Sequence, residues 1–264
     1  MDDPLQIHIA SSFSAAASTY DRLALVQSRV ADRLIDGMAM LGTPSRVLDI
    51  GCGTGALTRR LAALFPQAVI TGIDIAPGMI REATRLADDT ARVRFLVADA
   101  TSFTDPRSFD LLVSSSTLHW VQPLARTCRH LAGLLEPMGA FAFAIMLEQT
   151  LNELHSARGG VVPDNPPVLR MPAPEQVRAA LFAAGFAIQM EEVREVVAHA
   201  ESAHEMLKKL KGLGVTGGPL SRGARPLTRS ELQRLLTHYE SAYRDEQGVR
   251  ATYQVGYFWG TRNG

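Results

Sequence analysis

The stretch that most constrains this chain is "RVLDIGCGTGALTRRLAALF", residues 46–65. Five mostly apolar residues run into glycine at every second position, Gly51, Gly53 and Gly55, and then into a segment with helical spacing. A short apolar run bounded by glycine reads as a buried strand. Glycine accepts a left-handed backbone and lets another group come close to it. A strand turning through glycines into a helix is half of a βαβ unit, and such a unit calls for a parallel partner strand.

Candidate partners follow at regular intervals. "AVITGIDI", "VRFLVAD", "FDLLVSSS" and "AFAFAIML" read as strands, with "APGMIREATRLA" and "LARTCRHLAGLLE" as helices among them. Pro77 stands near a helix start, where its missing N–H costs little. "PEQVRAALFAAGF" reads as a helix with Gly185 as its C-cap. "AIQMEEVREVVAHA" and "ATYQVGYFWGTR" supply two more strands. Upstream, Phe13, Ala17, Tyr20, Ala24 and Gln27 recur at helical spacing, so Ile9 to Leu41 reads as helical with these residues on one face. "RGGVVPDNPPVLRMPAP" reads as a loop, and "AHEMLKKLKGLGVTGGPLSRGARPLT" as a short helix and a Gly-rich stretch. Thr228 and Glu231 form a capping-box pattern opening a last helix. The expectation is an α/β chain built on a doubly wound seven-stranded sheet. It forms one domain over 1–264, with an N-terminal helical cover (9–41), a cofactor-binding core (45–147) and a C-terminal inserted lid (200–248).

Composition removes some classes. Lys plus Arg and Asp plus Glu both number 27, so the net charge is zero, which argues against a nucleic-acid partner. Cys52 and Cys128 form no C-x-x-C pair, and no metal is expected. "MDDPLQIHIA" lacks the apolar run of a signal peptide, and no run is long enough for a bilayer, so a cytoplasmic location is expected.

A glycine turn alone suits either a dinucleotide or a sulfonium nucleoside. Three acids bear on the choice. Asp74 ends the second strand, where it can accept hydrogen bonds from ribose hydroxyls of either ligand. Asp49 lies two residues before Gly51. At about 5 Å from a pyrophosphate it would cost about 3 kcal/mol at an effective dielectric of 20. The same carboxylate favours the ammonium of a methionine moiety, which S-adenosylmethionine carries without any phosphate. Asp99, ending the third strand, can accept a hydrogen bond from adenine N6.

"VLDIGCGTG", "GIDIAPGMI" and "VADA" resemble the class I S-adenosylmethionine-dependent methyltransferases, whose fold is Rossmann-like. The resemblance implies that Gly51, Gly53 and Gly55 wrap the amino acid part of the cofactor. It implies that Asp74 and Met79, with Ile75 beside them, hold ribose and adenine. Asp99 and Ala100 would flank the adenine edge, and Ser114 would join the site from the fourth strand. The flanks "FSAAASTYDRLALVQ", "LHW", "TLNELHSA", "LKGLGVT", "LTRSEL" and "TYQVGYFWG" are similar to the malonyl-[acyl-carrier protein] O-methyltransferases of biotin synthesis. Val215 departs from the smaller residue expected there. The core motifs alone suit a methyltransferase for another small acid, such as trans-aconitate, or for a quinone precursor. A non-catalytic cofactor-binding subunit is a further alternative, which Asp49, Asp74 and Asp99 oppose.

The implied acceptor is the free carboxylate of a malonyl thioester on acyl carrier protein. A carboxylate with a reference pKa of about 4 is already a nucleophile at neutral pH, so no catalytic residue is assigned. His119 either orients the acceptor or packs beside Trp120. Tyr20 and Gln27 either reach cofactor or substrate or belong to an amphipathic core face. Lys208, Lys209, Lys211, Arg222 and Arg225 either dock an acidic carrier or form a solvated face. Cys52 is expected to pack rather than to attack.

Overall fold

The computed structural model describes residues 4–87, 91–165, 170–215 and 225–264. Most of the Gly-rich stretch after "LKGLGV", including Arg222, lies outside the described residues, as do 166–169 of the Pro-rich segment. In chain order the elements are α1 (Pro4–Leu23), α2 (Leu25–Asp36), β1 (Arg46–Ile50), α3 (Ala56–Leu64), β2 (Val69–Asp74) and α4 (Pro77–Arg85). Then come β3 (Val93–Val97), β4 (Phe109–Ser115), α5 (Leu124–Leu134), β5 (Leu135–Met146), α6 (Asn152–Val161), α7 (Pro174–Ala183) and β6 (Phe186–Ala200). The chain closes with α8 (Ala203–Gly212), α9 (Arg229–Ala242), β7 (Arg244–Asp245) and β8 (Gly248–Arg262).

The main sheet runs β3-β2-β1-β4-β5-β8-β6. The first five strands pair in parallel, and β8 lies antiparallel between β5 and β6. These are the seven expected strands. An eighth, the two-residue β7, pairs with the start of β8 through a two-residue turn at Glu246 and Gln247. Strand β1 is apolar on both faces because helices cover both. Val47 joins one core cluster and Leu48 the other, so successive side chains divide between the layers. One layer packs α2, α3, α8 and α9 around Trp259, whose Nε1 donates to Leu34 O at 3.0 Å. The opposite layer packs α5 and α7 against Leu48, Phe141 and Phe143.

The structure departs from the sequence expectation in two helical regions. The helix expected from Ile9 to Leu41 is broken at Ala24, which has φ −83° and ψ 38°. The two pieces bury against different partners: α1 lies on α4 and α8, whereas α2 packs on the sheet. One straight helix could not serve both. The loop expected from Arg158 is helical as far as Val161. Two glycines there disfavour a helix, but α6 packs on α9 and β8, and Arg158 Nε donates to Asn165 O at 3.0 Å. Packing overrides the local preference.

Candidate active site

Strand order reverses beside β1, with β2 on one side and β4 on the other. Ligands of open α/β sheets bind at such a point, beyond the carboxyl ends of the strands. The glycine turn sits there. Gly51, Gly53 and Gly55 have φ of 70°, 55° and 77°. The amides of Gly51 and Cys52 both donate to Ile73 O, at 2.8 and 2.9 Å, which ties the turn to β2. A Cβ on Gly53 would project into open space, so the backbone is bare toward the cavity. Gly55 serves differently: it opens α3, and a Cβ there would stand 2.7 Å from the Phe95 ring.

That cavity is bounded by Gly51 and Gly53 on one side and by Asp74, Ile75, Met79, Asp99 and Ala100 on the other. The Asp74 carboxylate accepts from Gly53 N at 2.9 Å and from Ala76 N at 2.8 Å. Burial raises its pKa, and these two amides oppose the rise. Each oxygen keeps a second lone pair for a ligand hydroxyl. Asp99 accepts from Thr101 N at 2.8 Å. Ser114 is placed elsewhere: it is fully buried, and its Oγ donates to Ile50 O at 2.9 Å. The next residues, Ser115 and Ser116, reach the cavity instead.

A second cavity shares Gly51 and Gly53 with the first and extends to Asp49. Asp49 is 1% exposed; its Oδ2 accepts from Thr58 Oγ1 at 2.6 Å, and its Oδ1 has no partner among the described residues. Burial raises its pKa to about 7, with the Asp74 charge adding to the rise and the Thr58 bond opposing it. A buried carboxylate with one free oxygen suits a cation at this spot. Thr58, the third residue of α3, was not singled out in the sequence. Its signal was a hydroxyl in the first turn of a glycine-opened helix that directly follows the acid's strand.

Helix α1 covers both cavities and is fastened at two points. Ser14 Oγ accepts from Gly78 N at 3.0 Å, and Asp21 Oδ1 accepts from Thr54 Oγ1 at 2.5 Å. A Cβ on Gly78 would lie 2.5 Å from Ser14 O, so only glycine lets α1 lie this close to α4. The "KGLG" glycines act similarly: a Cβ on Gly212 would meet Leu23, and one on Gly214 would stand 3.1 Å from Ser12 O. The end of α8 therefore rests on α1.

A third, smaller chamber is walled in part by α1 and α8. The candidates Gln27, His119 and Trp120 line it, together with Thr150, His155 and Tyr253. Val215 forms part of its wall. Tyr20 and Ser116 border all three spaces and mark where they meet. Burial raises the Tyr20 pKa, as do the charges of Asp74 and Asp21, so the hydroxyl stays protonated. His119 is 3% exposed and packs on Trp120 with ring centroids 5.3 Å apart; burial lowers its pKa to about 3, leaving a neutral imidazole. His119 thus packs on Trp120, as one reading of the sequence has it, and it also lines the chamber.

Two signs of stored cost converge here. Ser116 and Leu151, both on the chamber wall, hold left-handed backbone at φ 57° and 56°. Among the described residues, six side-chain atoms are buried without a hydrogen-bond partner; five of them, Gln27 Oε1, Asp49 Oδ1, Ser115 Oγ, Ser116 Oγ and His119 Nδ1, belong to residues bordering one of the three cavities, and the sixth, Gln254 Oε1, does not. Such atoms cost about 1–3 kcal/mol each when left unmet. Their clustering marks a place prepared for polar ligands.

The remaining candidates sort as follows. Burial pushes the Cys52 thiol well up, and Cys128 up to about 12, so neither is a nucleophile. Arg225 is exposed but paired: it clasps Glu231 at 2.8 and 2.7 Å and so braces the α9 capping box. Lys209 pairs with Glu205 at 3.0 Å, while Lys208 and Lys211 are exposed. No helix among the described residues is long and apolar enough to cross a membrane.

Comparison with known proteins adds the following. Residues 47–139 match the family described as methyltransferase domain. Over 249 residues the chain is 36% identical to malonyl-[acyl-carrier protein] O-methyltransferase of Hahella chejuensis, spanning 94% of this chain and 88% of that one. The solved YcgJ protein of Bacillus subtilis superposes with a TM-score of 0.65 at 17% identity, covering 89% of this chain and 98% of that one. The [4+2]-cyclase SpnF superposes with a TM-score of 0.55 at 22% identity, covering 89% and 81%. These two structures show the fold alone. That a cyclase shares it is the reason to argue activity from the site and from the near-full-length relative.

Proposed function

This chain belongs to the malonyl-[acyl-carrier protein] O-methyltransferase family, and we propose that its three joined cavities divide S-adenosylmethionine from a malonyl thioester on acyl carrier protein. The chain is an O-methyltransferase of biotin synthesis, and the product is the methyl ester of the malonyl carboxylate. The observation that carries the assignment of parts is the meeting of all three spaces at Tyr20 and Ser116.

S-adenosylmethionine, when bound, supplies an electrophilic methyl on a positively charged sulfur. Asp74 and Asp99 would hold its ribose and adenine, and Asp49 its ammonium through the unpartnered Oδ1. The fit rests on the bare backbone of Gly53 and on that orphaned oxygen. The chain's task toward the acceptor is to strip water from the carboxylate and hold it in line. Ser116, the neutral imidazole of His119 and the Tyr20 hydroxyl are hydrogen-bonding groups placed for that. Neutral partners leave the carboxylate its nucleophilic charge. The chamber offers about 50 Å³.

Intact-mass analysis with S-adenosylmethionine and malonyl-carrier protein tests the proposal, with acetyl-carrier protein as the control. A gain of one methyl on the malonyl species alone is expected. No gain, with cofactor binding intact by calorimetry, would remove the acceptor assignment.

A further inference from the structure

The acceptor chamber borders a larger space. A groove of about 680 Å³ runs between the start of α2, α8 and the edge formed by β6 and β8. Gln27, Leu210 and Tyr253 line both groove and chamber, so the wall between them is one side chain thick. Four cations face the groove: Arg22, Arg29, Lys209 and Arg250. Lys209 belongs to the LKKLKG run on α8, whereas Arg22, Arg29 and Arg250 come from α1, α2 and β8 and join it only in the fold. Arg22 and Arg29 are exposed and have no ion pair among the described residues. Lys209 is held by Glu205, and Arg250 Nε stands 3.5 Å from Glu153. Among the described residues, the one carboxylate on the groove, Asp245, is already bonded to His199 Nε2 at 3.0 Å. Between the charges the surface is apolar, with Leu25 67% exposed.

An acyl group on a carrier protein arrives on a long, mostly uncharged arm that bears one phosphodiester, tethered to an acidic protein. The groove offers the matching chemistry: apolar stretches for the arm and unpaired arginines for the anion. It also ends against the thin wall of the chamber. Resting on the function proposed above, we propose that this groove is the carrier-protein entrance. The phosphodiester lies among Arg22, Arg29, Lys209 and Arg250, the acidic carrier sits over the two arginines, and the thioester passes Gln27, Leu210 and Tyr253.

The test is the double variant Arg22→Glu, Arg29→Glu, assayed beside the wild type. Substrates are malonyl-carrier protein, malonyl-coenzyme A and malonyl-N-acetylcysteamine, which has neither phosphate nor protein. Both side chains are exposed, so folding is checked simply by the melting temperature, and Arg250→Gln serves as a second variant. Expected is a loss in kcat/KM on the carrier substrate, carried by KM, at least tenfold larger than on the truncated thioester. The wild-type KM for the carrier should rise with salt, and the double variant should flatten that dependence. Equal losses on carrier and truncated substrates overturn the proposal, as does an unchanged carrier KM. A loss on malonyl-coenzyme A as large as on the carrier overturns the protein-docking part. A wild type inactive on every malonyl thioester removes the function itself, which is a different failure.

Discussion

Replacing Asp49 by asparagine separates what the site needs from what the fold prefers. Protons bind Asp49 more tightly in the folded chain, where its pKa is about 7, than in the unfolded chain, where it is 3.8. The folded state is therefore penalised as the pH rises through that window, by about 1.4 kcal/mol per unit. The penalty is about 2 kcal/mol at pH 5 and levels off at about 4 kcal/mol above pH 7. Asparagine is isosteric, carries no charge and can still accept from Thr58 Oγ1. Asp49→Asn should thus stabilise the ligand-free protein, by about 2–3 kcal/mol more at pH 8 than at pH 5. Urea unfolding at the two pH values reads this directly from the midpoint at constant slope. A variant equally stabilised at both values, or less stable than wild type at pH 8, would refute the account of Asp49 as a desolvated charge. In the same variant, S-adenosylmethionine should bind at least tenfold more weakly, since a charged hydrogen bond contributes about 1.5–3 kcal/mol. An unchanged affinity would place the ammonium elsewhere.

Other outcomes follow from named contacts. Gly53→Ala should fold with a penalty of about 1 kcal/mol for the left-handed backbone, because its Cβ meets no protein atom, yet lose cofactor affinity in calorimetry. Gly78→Ala should do the reverse: its Cβ would collide with the Ser14 backbone, so α1 must lift from α4, detectable as faster amide exchange in α1. Asp74→Ala should weaken the cofactor by about tenfold or more through loss of charged hydrogen bonds, measured by calorimetry. Burial holds His119 near pKa 3, so it stays neutral from pH 5 to 8. His119→Gln should accordingly lower kcat without altering the shape of the pH profile; loss of a limb in that range would contradict a neutral imidazole.

Much of the core was legible because its causes are local. Asp49, Asp74 and Asp99 could be placed at strand ends from alternation and from the breaks that follow them. The capping box at Thr228 and Glu231 needed only a four-residue pattern, and both of its hydrogen bonds form. Ser114 shows where this stops. Side chains on a strand alternate faces, and at the end of β4 the chain leaves the sheet through the left-handed Ser116. Which of three consecutive serines meets the cavity was decided by that exit, not by residue type. Arg225 was similarly readable as a cation but not as the partner of Glu231.

By itself, then, the sequence determined the strand–turn–helix order, the positive-φ turn and the acids that border it, since each depends on neighbours a few residues apart. The acceptor chamber and its basic groove were decided only by tertiary structure. They bring Arg22, Gln27, Leu210, Arg250 and Tyr253 together because β8 inserts antiparallel between β5 and β6, carrying the end of the chain beneath α1 and α8. Contacts across more than 180 residues are set by how two apolar faces of one sheet are covered, and no local pattern encodes which helix arrives over which strand.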